Sequence, residues 1–393
     1  MIDVTINRQN SNAVKIESAM SKFGTTHLLP LWVADMDIAS APCVQEAIRK
    51  RALHPIYGYT IYSKEYYQSI EDWMLKRFGL GVDKESIIPA YGVVPSLNFS
   101  IEAFTQMGDG VIVQTPLYPP FVASVQKHRR KLLENRLLYK NGSYSIDFED
   151  FEAKAKEAKL FLFCSPHNPT GRVWDKEELK RLIAICEKEE VLIVSDEIHS
   201  DIVYQKSHHS MALLAPQRTI LLNAPSKSFN IAGLNTSYAI IFNQKIRKAY
   251  NNQQRKGGFS DGNIFGIEAL IASYRQGESW LEELKCYLKE NIDFVNTFLS
   301  THHIPIVSTD TQATYLMWLD CSALGLDDRE LEKFFVYKAQ LGLNSGVSFG
   351  RTGSGFMRLN IATSKEVLKE AMQRLHKAYK KLKNSKGEQN GTT

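Results

Sequence analysis

From about residue 90 onward the chain alternates short β-branched runs with segments of helical period. "VIVQTP" (111–116), "LFLFCSP" (160–166), "VLIVSDE" (191–197), "TILLNA" (219–224) and "SYAIIF" (237–242) read as fully buried strands. Between two of them, "DKEELKRLIAICEKEE" predicts a helix. Asp175 and Glu178 form its N-terminal box, and Leu179, Leu182, Ile183 and Cys186 share one face. Strands alternating with helices predict an α/β fold with a mostly parallel, doubly covered sheet. Past residue 280 the rhythm changes. "ESWLEELKCYLKENIDFVNTFLS" is one long helical pattern. A strand ("ATYLMWLD"), a capped helix ("DDRELEKFFVYKAQ", stopped by Gly342), a strand ("FMRLNIA") and a terminal helix opened by Thr363 and Glu366 follow. This predicts a smaller α+β domain over 285–393, a large domain over 48–284, and an N-terminal segment, 1–47, packing with the small domain.

A length of 393 residues exceeds the size at which one core keeps growing, which agrees with two domains. The net charge of +5 is spread along the chain, and its densest basic run, "HKAYKKLKNSK", reads as one solvated helix face. Nucleic-acid and membrane binding are therefore not expected. The five cysteines, at 43, 164, 186, 286 and 321, show no CxxC or Cys/His ligand spacing and read as reduced and structural. "MIDVTINRQN" lacks the apolar segment of a signal peptide, and no run of about 18 apolar residues occurs. The expected location is the cytoplasm.

In an open α/β sheet, ligands sit beyond the carboxyl ends of the strands. The polar clusters there are Tyr118 in "TPLYPP", "SPHNPTG" (165–171), "SDEIH" (195–199) and "PSKSFN" (225–230). A lysine on a turn, such as Lys227, is ordinarily solvated. Held in a partly apolar cleft it becomes a nucleophile that condenses with carbonyl compounds. Asp196 is either a turn former or a buried anion, and Asn168 either a loop residue or an amide donor. Tyr118 is either a core aromatic or a plate for a flat ring. Gly92 precedes a helix whose free N–H groups suit a phosphate. Arg358, in an otherwise apolar strand, needs an anionic partner, either a structural carboxylate or that of a substrate.

Together these segments resemble the fold-type I pyridoxal-phosphate enzymes related to aspartate aminotransferase. Within them the match is to the cystathionine β-lyase branch of the MalY/PatB type, the bacterial C–S lyases. "LPLWVADMD" (29–37), "HPIYGYT" (54–60), "YGVVPSL" (91–97), "SPHNPTGRVW" (165–174), "SDEIHSDIV" (195–203), "SKSFNIAGLN" (226–235) and "GVSFGRTGSGFMRLNIA" (346–362) carry the resemblance. It implies that the 48–284 domain binds pyridoxal 5'-phosphate. Lys227 would carry the cofactor and act as catalytic base, Asp196 would face the ring nitrogen, and Asn168 the phenolic oxygen. Tyr118 would stack on the ring, with Tyr118 and Asn168 also near the substrate. Gly92, Val93, Val94 and Ser226 fall at phosphate-binding positions. Tyr59 matches a tyrosine that reaches the phosphate of a neighbouring subunit, implying a homodimer with shared sites. Arg358 matches the arginine that holds the substrate α-carboxylate.

Three positions depart from the aminotransferase pattern. His199 stands where aminotransferases have tyrosine, as is usual for the lyase branch. Ala224 and Asn235 stand where a Ser/Thr and an arginine often bind phosphate. The implied reaction is α,β-elimination on S-substituted cysteines such as L-cystathionine, giving a thiol (homocysteine), pyruvate and ammonia. The alternative is transamination of an amino acid with a keto acid. A metal site at His208 and His209 is not expected, because adjacent histidines in a polar loop are ordinarily solvated and match no catalytic zinc spacing.

Overall fold

Seven strands form the main sheet of the protein, seen in a computed structural model that describes residues 2–259 and 262–390, the side chains of 386–390 excepted. They are β1 (Ile87–Ala90), β2 (Gly110–Thr115), β3 (Lys131–Arg136), β4 (Ala158–Cys164), β5 (Leu192–Asp196), β6 (Thr219–Asn223) and β7 (Ser237–Ile240). Their order is β1-β7-β6-β5-β4-β2-β3. Strands β6, β5, β4, β2 and β3 pair in parallel, and β7 runs against both its neighbours. The fold is thus α/β with a mostly parallel sheet.

Both faces of that sheet are covered, which is why its central strands are largely apolar, whereas the edge strand β3, KLLENR, is mostly polar. Alternate residues serve opposite faces. Ile112, Phe161, Phe163 and Ile193 pack with Leu179, Leu182 and Cys186 of the Lys176–Lys188 helix. Val111, Val113, Leu160, Leu162 and Val194 pack with Leu97 and Ile101 of the Val93–Phe104 helix and with Phe121 and Val125 of the Pro119–Lys127 helix. The Lys176–Lys188 helix starts with the expected Asp175/Glu178 capping box. Each fully buried Leu or Phe contributes roughly 1.5–3 kcal/mol by leaving water.

The second sheet is antiparallel, with β8 (Val307–Ser308), β9 (Leu316–Asp320), β10 (Asn344–Ser345) and β11 (Phe356–Asn360) in the order β8-β9-β11-β10. The Glu278–Thr301 helix leads into it and the Lys365–Asn390 helix follows it. The N-terminal segment lies against this part of the chain. Leu29–Pro30 pairs in parallel with Leu341–Gly342, and Asp3 accepts hydrogen bonds from the Tyr287 hydroxyl (2.6 Å) and the Lys365 amide (2.9 Å).

Some expected boundaries move. Gly342 does not stop the helix before it. The α-helix Asp328–Lys333 passes into a π turn, Phe334–Lys338, and Gln340 turns the chain at φ +53°. Gly342 instead lies in the short strand, where an added Cβ would stand 2.9 Å from Leu28 and Phe23 side-chain carbons. The terminal helix begins at Lys365, and the Ser364 hydroxyl, not Thr363, accepts the Val367 N–H. β7 ends at Ile240, short of the apolar run that suggested 242. Among the described residues no helix is long and apolar enough to cross a membrane.

Candidate functional site

Because β7 alone is reversed, the carboxyl ends of β1, β2, β4, β5 and β6 lie along one edge of the sheet. Each is followed by, or ends on, a residue singled out by the sequence: Gly92, Tyr118, Asn168, Asp196 and Lys227. Arg358 arrives from the other sheet, on β11. A cleft of about 750 Å³ at this edge is lined by Trp32, Ala34, Tyr118, Lys227, Asn344 and Arg358, among others.

Lys227 sits on the turn after β6, half-buried, with its Nζ donating to the Ala34 carbonyl (2.8 Å). Burial, and then the neighbouring Arg358 charge, pull its ammonium down to about 8. Asp196 ends β5 and is buried. Its carboxylate accepts the Ile198 N–H (3.1 Å), and burial pushes its pKa up to about 7. Asn168 is buried between two other members of the group: its carbonyl accepts the Tyr118 N–H (3.1 Å), and its Oδ1 accepts from Arg358 Nη1 (3.1 Å).

Arg358 is only 4% exposed, yet its partners are all neutral oxygens: Asn168 Oδ1, the Trp32 carbonyl (2.9 Å) and Asn344 Oδ1 (2.9 Å). Its Nε has no partner. The guanidinium also lies 4.9 Å from the Phe349 ring centre. Among the described residues neither Arg358 nor Asp196 forms an ion pair, so the structural-carboxylate alternative for Arg358 is not realised. Burial lowers the Arg358 pKa to about 10. A buried cation and a buried carboxyl group, neither in an ion pair and the latter eased only by the nearby Lys227 charge, is an expensive arrangement that a charged ligand relieves.

The remaining candidates divide. His199 is buried with its ring 6.1 Å from that of Tyr315. Its Nδ1 has no partner, and burial with the Lys227 and Arg358 charges lowers its pKa to about 3, so it is neutral. Gly92 caps the Val93–Phe104 helix at φ +147°, a conformation side chains disfavour, and no side chain caps that end. Val93 is buried, and Val94 and Ser226 are half-buried. Tyr59 is 99% exposed and is not brought to this chain's own cleft. Ala224 is buried, and Asn235 takes φ +46° at the end of a short 3₁₀ turn, a left-handed position that asparagine tolerates.

The expectation of solvated histidines fails at His208. Its side chain is buried and its Nε2 lies 2.8 Å from the buried Glu197, which also accepts from Ser195 Oγ and the Met211 N–H. Sequence reading also missed Asn344, Tyr315 and Asp201. Asn344 faces Arg358 only through the β10–β11 register. The Tyr315 hydroxyl shares the Ala34 carbonyl with Lys227 (2.9 Å). Asp201 is buried and accepts from Ser228 Oγ (2.8 Å), next to Lys227, and from Trp73 Nε1 (3.2 Å). Spacing signals none of the three.

The family model for aminotransferase class I and II matches residues 27–375. The chain belongs to this family. Among the proteins similar to this family member, cystathionine beta-lyase PatB of Bacillus subtilis is 40% identical, over 94% of this chain and 97% of that one. Protein MalY of Escherichia coli is 31% identical over 96% and 98%. Cystalysin from Treponema denticola, whose crystal structure contains pyridoxal 5'-phosphate, superposes with a TM-score of 0.94 at 35% identity, covering 97% of this chain and 99% of that one.

Proposed function

We propose that this family member is a pyridoxal 5'-phosphate-dependent carbon–sulfur lyase. Its substrates are S-substituted cysteines such as L-cystathionine, which it cleaves, with the uptake of one water, to a thiol, pyruvate and ammonia. The residues at this edge of the sheet, in the cleft and beneath it, fit the cofactor. Asp196 is a buried carboxyl group outside any ion pair, the Val93–Phe104 helix start has no side-chain cap, and Lys227 is an amine with a lowered pKa. Asp196, Asn168, Tyr118, Gly92, Val93, Val94, Ser226 and His199 would hold it, with Lys227 as the covalent anchor. When bound, it supplies an electron sink conjugated to the substrate's α-carbon.

The chain's own residues supply the rest. Arg358 grips the α-carboxylate, replacing neutral oxygens by the counter-charge it lacks. Lys227, about a tenth neutral at pH 7 with a pKa of about 8, takes the α-proton at Nζ. The β-sulfur then leaves with its bonding electrons. Asp196, which ionises once a cation faces it, would favour positive charge on the bound cofactor, and neutral His199 adds no competing cation.

Transamination would use the same lysine, aspartate and arginine, so geometry does not separate the two reactions. The near-full-length similarity to PatB, a relative named cystathionine beta-lyase, carries the choice. A homodimer with shared sites belongs to the reading. Leu53, Ile56, Tyr57, Tyr59 and Ile61 form an exposed apolar arm suited to a second copy. So do a cytoplasmic location, the five cysteines all being unpaired, and a division of the chain near residues 47 and 284. The test is a substrate panel read by pyruvate. Pyruvate and free thiol from cystathionine without a keto acid support the lyase. Strict dependence on a keto acid, or full activity in Lys227→Ala, sinks it.

A further inference from the structure

The segment Trp32–Asp37 is neither helix nor strand, yet it holds the two central side chains of the cleft. Its backbone oxygens face inward. The Trp32 carbonyl accepts Arg358 Nη2 (2.9 Å), and the Ala34 carbonyl accepts Lys227 Nζ (2.8 Å) and the Tyr315 hydroxyl (2.9 Å). The Val33 and Asp35 carbonyls both accept from Asn360 Nδ2. Its carboxylates instead engage the N-terminal segment. Arg8 forms ion pairs at 2.7 Å with both Asp35 and Asp37, and also donates to the Met36 carbonyl (3.4 Å). Lys15 Nζ lies 3.0 Å from Asp37 and 3.5 Å from Asp35, with its side chain 1% exposed. The Lys15 carbonyl in turn accepts the Trp32 indole N–H (3.0 Å).

Two cations and two carboxylates thus close on one another around a segment without regular structure. Such a partly buried ionic group, in which only Lys15 is fully enclosed, adds little net stability compared with an apolar one of the same shape. Its energy is directional, however, and it selects one backbone geometry. We propose that Arg8 and Lys15 are positioning residues for the reaction: acting through Asp35 and Asp37, they fix the Trp32–Asp37 backbone whose carbonyls hold the Lys227 amine and the Arg358 guanidinium. The proposal rests on the lyase reading, which uses those two side chains. Arg8 also lines the cleft, so direct contact with substrate is the rival role to separate.

The experiment combines hydrogen exchange with kinetics on the cofactor-loaded protein and its Arg8→Gln, Arg8→Lys and Lys15→Met variants. The amides of Met36 and Asp37, which donate to Asn230 Oδ1 (3.0 Å) and the Ala362 carbonyl (2.8 Å), report the segment's order. In Arg8→Gln they exchange roughly tenfold faster while β4, β5 and β6 are unchanged. In the same variant kcat/KM falls roughly tenfold for cystathionine and for S-methylcysteine alike. Arg8→Lys restores most of both, and Lys15→Met repeats the loss. Should Lys15→Met not fold, Arg8→Gln decides, its side chain being a fifth exposed. Unchanged segment exchange overturns the proposal, as does faster exchange with kcat/KM intact. Faster exchange spread evenly over the sheet overturns it too. A kinetic loss confined to substrates with a second amino-acid head group, with exchange unchanged, assigns Arg8 to the substrate instead. Wild-type protein that releases no pyruvate from any thioether is a failure of the lyase reading, visible before a variant is made.

Discussion

Asp196 is destabilising in its ionised form, because burial outweighs both the Ile198 N–H and the nearby Lys227 charge. Its native pKa of about 7 lies above the unfolded value of 3.8, so the native state binds more protons between those limits. Stability therefore falls as pH rises through that window, by up to ~4 kcal/mol at full ionisation. Asp196→Asn should raise the melting temperature of the cofactor-free protein at pH 8 and leave it unchanged near pH 4, while the loaded enzyme loses activity. Equal melting temperatures at pH 8 would contradict the assignment of Asp196 as a charge that burial destabilises. Arg358→Leu should lower kcat/KM by about a hundredfold, the ~3 kcal/mol expected for losing a charge-assisted carboxylate grip, with KM rising. Both residues were readable as candidates because a charge inside an apolar strand is conspicuous. Their partners were not, since Asn344 reaches Arg358 across a strand pair and not along the chain.

The turn between β6 and β7 depends on how its neighbours are anchored. Ser228 Oγ donates to the buried Asp201, and Asn230, at φ +55°, donates to the Met36 and Ile38 carbonyls (3.0 and 2.8 Å). Ser228→Ala removes a donor from a buried carboxylate and should destabilise the protein by about 1–3 kcal/mol in urea unfolding, without altering the fold. Five of the seven main strands and the Lys176–Lys188 helix were legible because burial on two faces demands unbroken apolar runs and the capping box is local; the edge strands β1, only four residues long, and β3, mostly polar, were not. The end of the helix near Gln340 was misread because glycine has two uses. A left-handed stop and a close approach look alike in sequence, and at Gly342 the close approach to Leu28 and Phe23 decided. His208 was misread for another reason: its partner, Glu197, lies 11 residues back across an irregular loop, a separation that neither helical nor strand period marks.

For the molecule as a whole, the sequence predicts that the N-terminal segment packs with the small domain but not the contacts it makes, because Asp3, Arg8 and Lys15 act on residues far along the chain or on irregular backbone. Tyr59 belongs to the same scale, serving no site in its own chain. If the proposed homodimer shares its sites, Tyr59→Ala should weaken cofactor binding several-fold in equilibrium dialysis without changing the sedimentation behaviour of the protein. Unchanged cofactor affinity would remove Tyr59 from the site. The reversed strand β7 has a further effect. Since it starts at the edge where β6 ends, residues 224–236 never cross to the far side, and Asn230, Ala232 and Gly233 stay on the cleft rim. An added Cβ at Gly233 meets nothing within 4 Å. This return is therefore a plastic margin on a rigid sheet, and Gly233→Phe should narrow the range of thioethers accepted, measured as relative pyruvate yield, while the melting temperature holds. Divergence in substrate choice among proteins of this design has an open route there, one that leaves the anchoring lysine where it stands.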